Sequence, residues 1–296
     1  MKFPPVCLFP TTTVLLDDDR EFLHSLDKCL KNRHTRIKAF DNPSAANSFL
    51  RNSRDSVEID ESWLNVVPSD YCYENMAVEI QFSKILELSS NPRRFDQITC
   101  IVIDYRLPNI DGLQFLKELP FIRAKKILLT AHADADIAVN AINDGLIDHY
   151  VQKHDPHMAS KLQGLLAKIQ LSYFENLGSL VARSLLLARQ EDDELRTAYC
   201  GLIGNILSKN KIREYYLADP NGSYTFFGEQ GQLDLLIKSR EQLHSDIEVA
   251  QDAINGFDSI VDNASEVKPL SNKKTFFYSL AARPALTSAS SRIEAR

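Results

Sequence analysis

An unbroken apolar run at residues 99–103, Thr-Cys-Ile-Val-Ile, stops at Asp104. A strand that is apolar along its whole length must be covered on both faces, as central strands of parallel sheets are. Parallel neighbours need crossover connections, usually helices, so this run restricts the chain to an α/β architecture. A charged residue directly after such a strand lies at the carboxyl edge of the sheet, where α/β proteins place their functional groups.

Strand and helix patterns alternate on both sides of this run. Further strands are predicted at residues 11–16, 36–40, 126–130 and 147–151, with helical spacing in the stretches between them. The polar, irregular stretch 51–76 breaks the alternation, and we interpret it as an insertion. The pattern predicts a doubly wound, five-stranded parallel sheet of the flavodoxin type.

The rest of the chain has a different pattern. A long helical repeat starts at Met158, and a second helix is expected over residues 194–208. Three short strands separated by turns then predict an antiparallel meander, followed by a helix over residues 240–254 and a disordered tail after residue 287. The predicted domains are therefore an α/β domain (1–155), a helical connector (156–210) and a small α+β domain (211–296).

Charge and cysteine usage exclude several classes of protein. The net charge of −6 gives no global attraction to nucleic acid or to acidic membranes. The five cysteines are scattered without CxxC spacing, which favours a reducing cytoplasm over a disulfide framework or a zinc site. The most apolar stretch, residues 162–187, contains Lys168, Glu175 and Arg183, so no transmembrane segment is expected.

Polar and charged side chains follow the predicted central strands. Asp17 and Asp18 end the first strand, Asp104 the third and Thr130 the fourth, while Lys153 lies just beyond the fifth. Because these strand ends meet in one crevice, the three carboxylates would repel one another, and the usual remedies are a divalent cation or raised pKa values. Mg²⁺ prefers such oxygen ligands, and a carboxylate in this setting can attack phosphorus to form an aspartyl phosphate.

Four segments resemble, in order, the motifs of response-regulator receiver domains: LLDDDREFL (15–23), VIDYRLPNIDGLQFL (102–116), ILLTAHAD (127–134) and HYVQK (149–153). The resemblance implies a receiver-type fold over the α/β domain and phosphorylation on Asp104. It also implies a sensor histidine kinase or phosphotransfer protein as the donor, with no enzyme activity beyond self-catalysed phosphoryl transfer. The remaining implied site residues are the Mg²⁺ ligands Asp17, Asp18, Asp104 and the backbone carbonyl of Arg106, the switch residues Thr130 and Tyr150, and Lys153.

More narrowly, the insertion together with NPRRFDQI (91–98) and YYLADPNGSYTFF (215–227) resembles quorum-sensing response regulators of the LqsR and PhcR kind. One departure affects the site. The family pattern places a proline directly after the lysine, whereas His154 follows Lys153 here and the proline comes at Pro156.

Plainer interpretations stand beside these. Asp17–Asp19 can be acidic residues at a helix N-terminus, Tyr150 a core aromatic, and His149, His154 and His157 solvated loop residues rather than a metal cluster. Asp17 and Asp19 also form the DxD of phosphohydrolases that use an aspartyl nucleophile, although Glu21 departs from that pattern.

The output of the C-terminal half carries no familiar enzyme or helix-turn-helix signature. We expect an output of the protein-interaction type, with DNA binding as the alternative. The apolar positions of the long helix follow three- and four-residue steps, which predicts a homodimer seam. These positions are Met158, Leu162, Leu165, Ile169, Tyr173, Leu177 and Leu180.

Overall fold

The structure, a computed structural model, describes residues 3–30, 34–53, 63–69, 72–119, 123–131, 135–181, 193–246, 267–271 and 276–284. The chain divides into two compact units. The first, the α/β unit, comprises Phe9–Asp60 and Asn91–Leu177. The second, the antiparallel-sheet unit, comprises Met1–Leu8, Glu61–Ser90 and Gly178–Arg296.

The elements of each unit are numbered here in chain order over the whole protein. The strands are β1 (Cys7–Leu8), β2 (Thr11–Leu16), β3 (Thr35–Phe40), β4 (Leu64–Ser69), β5 (Cys72–Ile80), β6 (Ile98–Asp104), β7 (Arg106–Leu107), β8 (Ile110–Asp111), β9 (Lys125–Thr130), β10 (His149–Gln152), β11 (Ile212–Leu217), β12 (Tyr224–Gly228), β13 (Gly231–Ser239), β14 (Lys268–Pro269) and β15 (Phe276–Pro284). The helices are α1 (Arg20–Leu30), α2 (Pro43–Asn52), α3 (Phe82–Glu87), α4 (Gly112–Lys117), α5 (Ala135–Asn143), α6 (Met158–Leu177) and α7 (Asp193–Lys209).

The α/β unit is built on a five-stranded parallel sheet in the order β10-β9-β6-β2-β3. Taken in order along the chain, the strands are arranged 2-1-3-4-5, the doubly wound order of flavodoxin-like folds. The strand order reverses between β2 and β6, and ligands bind in the crevice at such a switch point. The predicted fold class, a parallel α/β sheet with an antiparallel C-terminal sheet, is confirmed.

Alternating residues of the strands fill two separate cores, one on each face of the sheet. Cys100 and Val102 of β6 pack with α1 and α6, whereas Ile101 and Ile103 pack with α2, α4 and α5. Period-two alternation sends successive side chains to opposite faces. Because both faces of β6 are buried, all four residues are apolar, and the sequence shows a continuous apolar run instead of an alternating one.

Side-chain caps set where the helices of this unit begin. Asn42 precedes Pro43 at the start of α2, and its Oδ1 accepts a hydrogen bond of 2.8 Å from the backbone N–H of Ala45. Asp111 does the same for α4, where the N–H of Gln114 donates to Asp111 Oδ1 at 2.7 Å. Both caps satisfy backbone donors that the first turn of a helix cannot satisfy itself.

The antiparallel-sheet unit contains a six-stranded sheet in the order β1-β11-β12-β13-β15-β14. Its central pairing joins β13 and β15 from Gly231↔Pro284 to Ser239↔Phe276. Helix α7 buries Tyr199, whose hydroxyl donates to the carbonyl of Gly222 at 2.9 Å. The hairpin of β4 and β5 and helix α3 also belong to this unit, with Trp63 buried at the start of the hairpin.

The division of the chain differs from the predicted domain boundaries at 155 and 210. Helix α6 belongs to the α/β unit, because its buried residues pack against the sheet and α1. The antiparallel-sheet unit also includes Met1–Leu8, since β1 pairs with β11 through Cys7↔Tyr216. It also takes Glu61–Ser90, which includes most of the predicted insertion.

Several elements differ from the predicted ones. Residues 64–69 and 72–80 form a hairpin where the sequence predicted irregular structure followed by a helix, and the helix begins only at Phe82. The predicted three-stranded meander is part of a larger sheet, because β1, β14 and β15 pair with it or extend it. Residues 240–246 are helical as predicted, whereas 247–254 and the tail after 287 lie outside the described residues.

The predicted dimer seam on α6 is largely occupied within its own unit. Leu162 and Ile169 are buried in the α1/α6 core, and Met158 and Leu165 pack against it. The buried face continues through Phe174 instead of Tyr173. Of the predicted seam, Leu180 is exposed and lies beyond the end of α6. In the described part of the chain, no helix combines the length and apolarity needed to cross a membrane.

Candidate functional site

Asp104 is the last residue of β6, the central strand of the parallel sheet. Its neighbours β2 and β9 end beside it, since Leu16 pairs with Ile103 and Leu129 pairs with Asp104. Asp104 is buried, although a carboxylate is rarely buried without a partner. The strand geometry therefore places this carboxylate at the switch point of the sheet, where the sequence predicted the phosphoacceptor.

Asp17 and Asp18 follow β2 directly and join Asp104 in an acidic cluster. One oxygen from each of the three carboxylates lies within 4.8 Å of those of the other two. Asp17 is only 1% exposed, whereas Asp18 is exposed. The predicted convergence of these residues is observed in the structure.

Lys153, just after β10, places its ammonium between two of these carboxylates. Nζ lies 2.7 Å from Asp17 Oδ2 and 2.8 Å from Asp104 Oδ2. Its backbone N–H donates to the carbonyl of Thr130 at 2.8 Å, which continues the β9–β10 pairing by one residue. The Lys153 side chain is 20% exposed, so its charge is largely withdrawn from water and strengthens the attraction to the carboxylates.

Burial and the ion pairs act in opposite directions on these groups. Burial raises the pKa of the Asp17 carboxyl, and the hydrogen bond and charge of Lys153 offset this only in part. Burial lowers the pKa of the Lys153 ammonium, but its bonds to Asp104 and Asp17 and their charges outweigh that effect and raise the pKa. Lys153 is therefore a permanent positive charge at neutral pH.

One buried hydroxyl at the site has no hydrogen-bond partner among the described residues. The Thr130 side chain is 0% exposed at the end of β9, and its Oγ1 is unsatisfied there. Asp17 Oδ2, by contrast, has the Lys153 ammonium at 2.7 Å. Buried polar atoms are normally satisfied, so the Thr130 hydroxyl favours a site that takes up an oxygen-rich group.

Asp19, the third acidic residue of the triplet, has a different role. Its Oδ1 accepts a hydrogen bond of 3.0 Å from the N–H of Phe22, and its carbonyl accepts from Leu23 at 2.9 Å. Asp19 thus caps α1, while Asp17 Oδ1 accepts from the N–H of Asp19 at 3.1 Å. The helix N-terminus interpretation is correct for Asp19, and the metal-site interpretation suits Asp17 and Asp18.

Gly112 is a site residue that the sequence reasoning missed. A Cβ at this position would lie 2.2 Å from the carbonyl oxygen of Asp104 and 3.1 Å from its carbonyl carbon. The N–H of Gly112 also donates to the carbonyl of Tyr105 at 2.8 Å. Helix α4 therefore begins directly against the backbone of Asp104. The Asp-Gly step at 111–112, between a turn and a helix, was the signal that could have identified it.

Two predicted residues occupy the expected elements, and their roles stay predictions. Arg106 follows Tyr105 and begins β7, which pairs with β8 through Arg106↔Asp111. Tyr150 lies on β10 opposite Leu128, half-buried against the α2/α4/α5 core. His149, His154 and His157 are exposed, and within the described residues the one group able to hold a metal is the Asp17, Asp18 and Asp104 cluster.

The fold and site were compared with known proteins. No protein-family model matches the sequence, and no curated protein matches it either. Among solved structures, the Legionella pneumophila response regulator LqsR is 26% identical with a TM-score of 0.63, over 96% of this chain and 90% of that chain. A receiver-domain protein from Clostridium thermocellum is 16% identical with a TM-score of 0.37, over 57% of this chain and 98% of that one.

The similarity to LqsR covers 96% of this chain and therefore extends over both units. It agrees with the resemblance carried by the motifs at 15–23, 102–116, 127–134 and 149–153. The chain has the architecture of a receiver-domain response regulator of the LqsR kind.

Proposed function

We propose that the chain is a phosphorelay response regulator that accepts a phosphoryl group on Asp104. The observation that carries the proposal is the Lys153 ammonium, which lies 2.7 Å from Asp17 and 2.8 Å from Asp104 at the switch point of the sheet. A structural ion pair needs one partner of each sign, whereas this arrangement concentrates carboxylates, a lysine and a buried hydroxyl in one crevice. Phosphoryl transfer uses each of them.

The acidic cluster fits Mg²⁺. Asp17, Asp18 and Asp104 would hold the ion with the backbone carbonyl of Arg106, as hard oxygen ligands suit this cation. When bound, the ion would neutralise charge that develops on the phosphoryl oxygens. Asp17 is buried, and one of its carboxylate oxygens lies within 4.8 Å of one from each of the other two carboxylates, which supports a direct ligand role for that residue.

The chain's own residues would act in the transfer as follows. An oxygen of the Asp104 carboxylate forms a bond to phosphorus, while the bond from phosphorus to the donor breaks and its electrons leave with the donor. The Lys153 ammonium and the Thr130 hydroxyl donate to the phosphoryl oxygens and stabilise their charge. Thr130 is free of other hydrogen bonds among the described residues, so no existing bond is lost when it turns to the phosphoryl group.

The donor would be a sensor histidine kinase or a phosphotransfer protein, and we propose no enzyme activity beyond this self-catalysed transfer. The phosphohydrolase alternative needs Asp19 as its second carboxylate, but Asp19 caps α1. Buried free thiols at Cys7, Cys100 and Cys200 support a reducing, cytoplasmic setting. The similarity to LqsR supports a role in quorum sensing.

For the output we propose protein interaction and phosphorylation-dependent homodimerisation, with DNA binding as the alternative. The dimer proposal rests on the predicted seam, in which Leu180 is 47% exposed and Leu177, at the end of α6, is half-buried.

The phosphoacceptor is tested by incubating the chain with acetyl phosphate and Mg²⁺ and measuring intact mass. Wild type should gain one phosphoryl group, and Asp104→Asn should gain none, because an amide is a poor nucleophile. Asp111→Asn is the matched control: it makes the same change on the same loop, and asparagine still caps α4. Full labelling of Asp104→Asn would show that the phosphoacceptor lies elsewhere.

A further inference from the structure

We propose that Phe22 is a positioning residue for Lys153, and that its ring holds the ammonium in place between Asp17 and Asp104. The inference rests on the proposed function of this site, because it is the orientation of Lys153 for phosphoryl transfer that Phe22 would secure. In this proposal Phe22 acts only through Lys153 and not on either carboxylate directly.

The geometry is that of a cation above an aromatic face. Lys153 Nζ lies 4.9 Å from the centroid of the Phe22 ring, inside the range of about 6 Å over which a ring attracts an ammonium. The same Nζ makes its two ion pairs at 2.7 and 2.8 Å. The ring therefore contacts the same ammonium that the two carboxylates bind.

Phe22 is packed against the core of the α/β unit without being enclosed by it. The helix buries Leu23, Leu26 and Leu30, which follow each other at three- and four-residue steps. Phe22 lies one four-residue step before Leu26, is half-buried and packs against the edge of the same core. Its backbone N–H is fixed by Asp19, so the ring leaves the helix from a rigid first turn.

Lys153 needs such support because the loop after it differs from the family pattern. His154 follows the lysine where the pattern has proline, so the restriction that a proline ring imposes on the preceding residue is absent at this position. The bond from Lys153 N–H to Thr130 fixes the backbone and the two ion pairs hold the ammonium, but both carboxylates belong to the site that the phosphoryl group and the metal ion would enter. A ring on the facing helix supplies the missing constraint.

The expected effect on rate follows from the strength of the contact. Loss of a cation–π interaction at a partly exposed site should reduce the correctly placed fraction of Lys153, and with it the labelling rate, by about two- to fivefold. Binding of Mg²⁺ should change little, since Phe22 is not a ligand. A rate that falls at unchanged metal affinity is the pattern that a positioning role produces and a general loss of stability does not.

A spectroscopic test addresses the contact without any phosphorylation. Protons on the carbon next to Nζ should be shifted upfield by the Phe22 ring in spectra of lysine-labelled protein, with the Lys153 signal assigned by its loss in Lys153→Arg. Phe22→Leu should return the signal to the ordinary lysine position, and Phe22→Tyr should retain the shift. An unshifted Lys153 signal in wild type would overturn the proposal.

The kinetic test compares labelling by acetyl phosphate in Phe22→Leu, Phe22→Tyr and Phe49→Leu. Phe49 is the matched control, because it is a partly buried ring on α2 that contacts Phe40 at 5.2 Å between centroids, in the core on the other face. Phe22→Leu should be slow, Phe22→Tyr should recover the wild-type rate, and Phe49→Leu should be unaffected. Equal rates in the two leucine variants, or no recovery with tyrosine, would refute the positioning role.

The two proposals fail in different ways. If wild type takes up no phosphoryl group while the ring shift of Lys153 is present, the proposed function is wrong and the contact is real. If wild type is labelled on Asp104 and the ring shift is absent, Phe22 has no positioning role. Should Phe22→Leu fail to fold, the ring shift in wild type and in Phe22→Tyr still decides the question.

Discussion

Replacing Gly112 by alanine should displace Asp104, the proposed phosphoacceptor. The added Cβ would lie 2.2 Å from the Asp104 carbonyl oxygen, 3.1 Å from its carbonyl carbon and 3.3 Å from Tyr105 Cα. All three are backbone atoms, so no side-chain rotation can relieve the contact. Ordinary van der Waals separation requires β6 and α4 to move apart by about 1 Å.

Two effects of this substitution on stability oppose each other. Overpacking of this kind typically costs about 1–3 kcal/mol. Alanine in place of glycine favours a helix by up to about 1 kcal/mol, less at its first residue. We therefore expect a net destabilisation of about 1–2 kcal/mol. The larger effect should be on rate, since a shift of about 1 Å in a reacting group can cost on the order of 10²-fold.

Gly164→Ala is the control for Gly112→Ala. Gly164 lies within α6, and a Cβ there would meet nothing within 4 Å. It should stabilise the α/β unit by about 1 kcal/mol and leave labelling unchanged. Initial rates from intact-mass spectrometry and thermal melts by circular dichroism measure both quantities. A Gly112→Ala protein with the wild-type rate and melting temperature would refute the reasoning that α4 must begin against Asp104.

Two further predictions concern the metal and the dimer. Asp18→Ala should raise the Mg²⁺ concentration for half-maximal labelling on the order of tenfold, because a direct ligand is lost. Glu21→Ala, on the exposed first turn of α1, is the control and should leave that concentration unchanged. If the Asp18→Ala titration coincides with that of wild type, Asp18 is not a metal ligand. Leu177→Asp, at the half-buried end of α6, should weaken self-association by about 1–3 kcal/mol in sedimentation experiments, most clearly with phosphoryl donor present. A wild type that is monomeric at all concentrations in both states would contradict the dimer.

The parallel sheet and its site could be predicted because their signals are local. The strand at residues 99–103 is apolar on both faces, so this segment alone implied that helices cover both faces of the sheet. The carboxyl end of a strand lies at or just before each of Asp17, Asp104 and Lys153. In a doubly wound sheet the carboxyl ends of the central strands lie close together. Their convergence needed no knowledge of side-chain packing.

The contacts that refine the site could not be predicted in this way. Phe22 and Lys153 meet because α1 and the end of β10 face each other. The sequence of neither segment indicates that it contacts the other. Gly112 is required because the backbone of α4 approaches that of Asp104, a distance that only coordinates reveal. Asp17, Asp18 and Asp19 are identical residues in sequence, and their different hydrogen bonds and burial separate their roles.

The composition of the second unit also depended on tertiary structure. Cys7 pairs with Tyr216, and β13 pairs with β15 across the segment between them, so the sheet is assembled from distant parts of the chain. Strand propensity identifies a segment that can pair, but it does not identify the partner strand. The stabilisation of a sheet comes from side-chain contacts between paired strands, which propensity does not describe. The sequence by itself determined the α/β unit and its acidic, lysine-bridged crevice, since strand periodicity and crossover rules act locally along the chain. Only the tertiary structure decided that β1 pairs into the other sheet and that residues 61–90 belong to the same unit as that sheet, since burial and pairing between distant segments are properties of the folded chain.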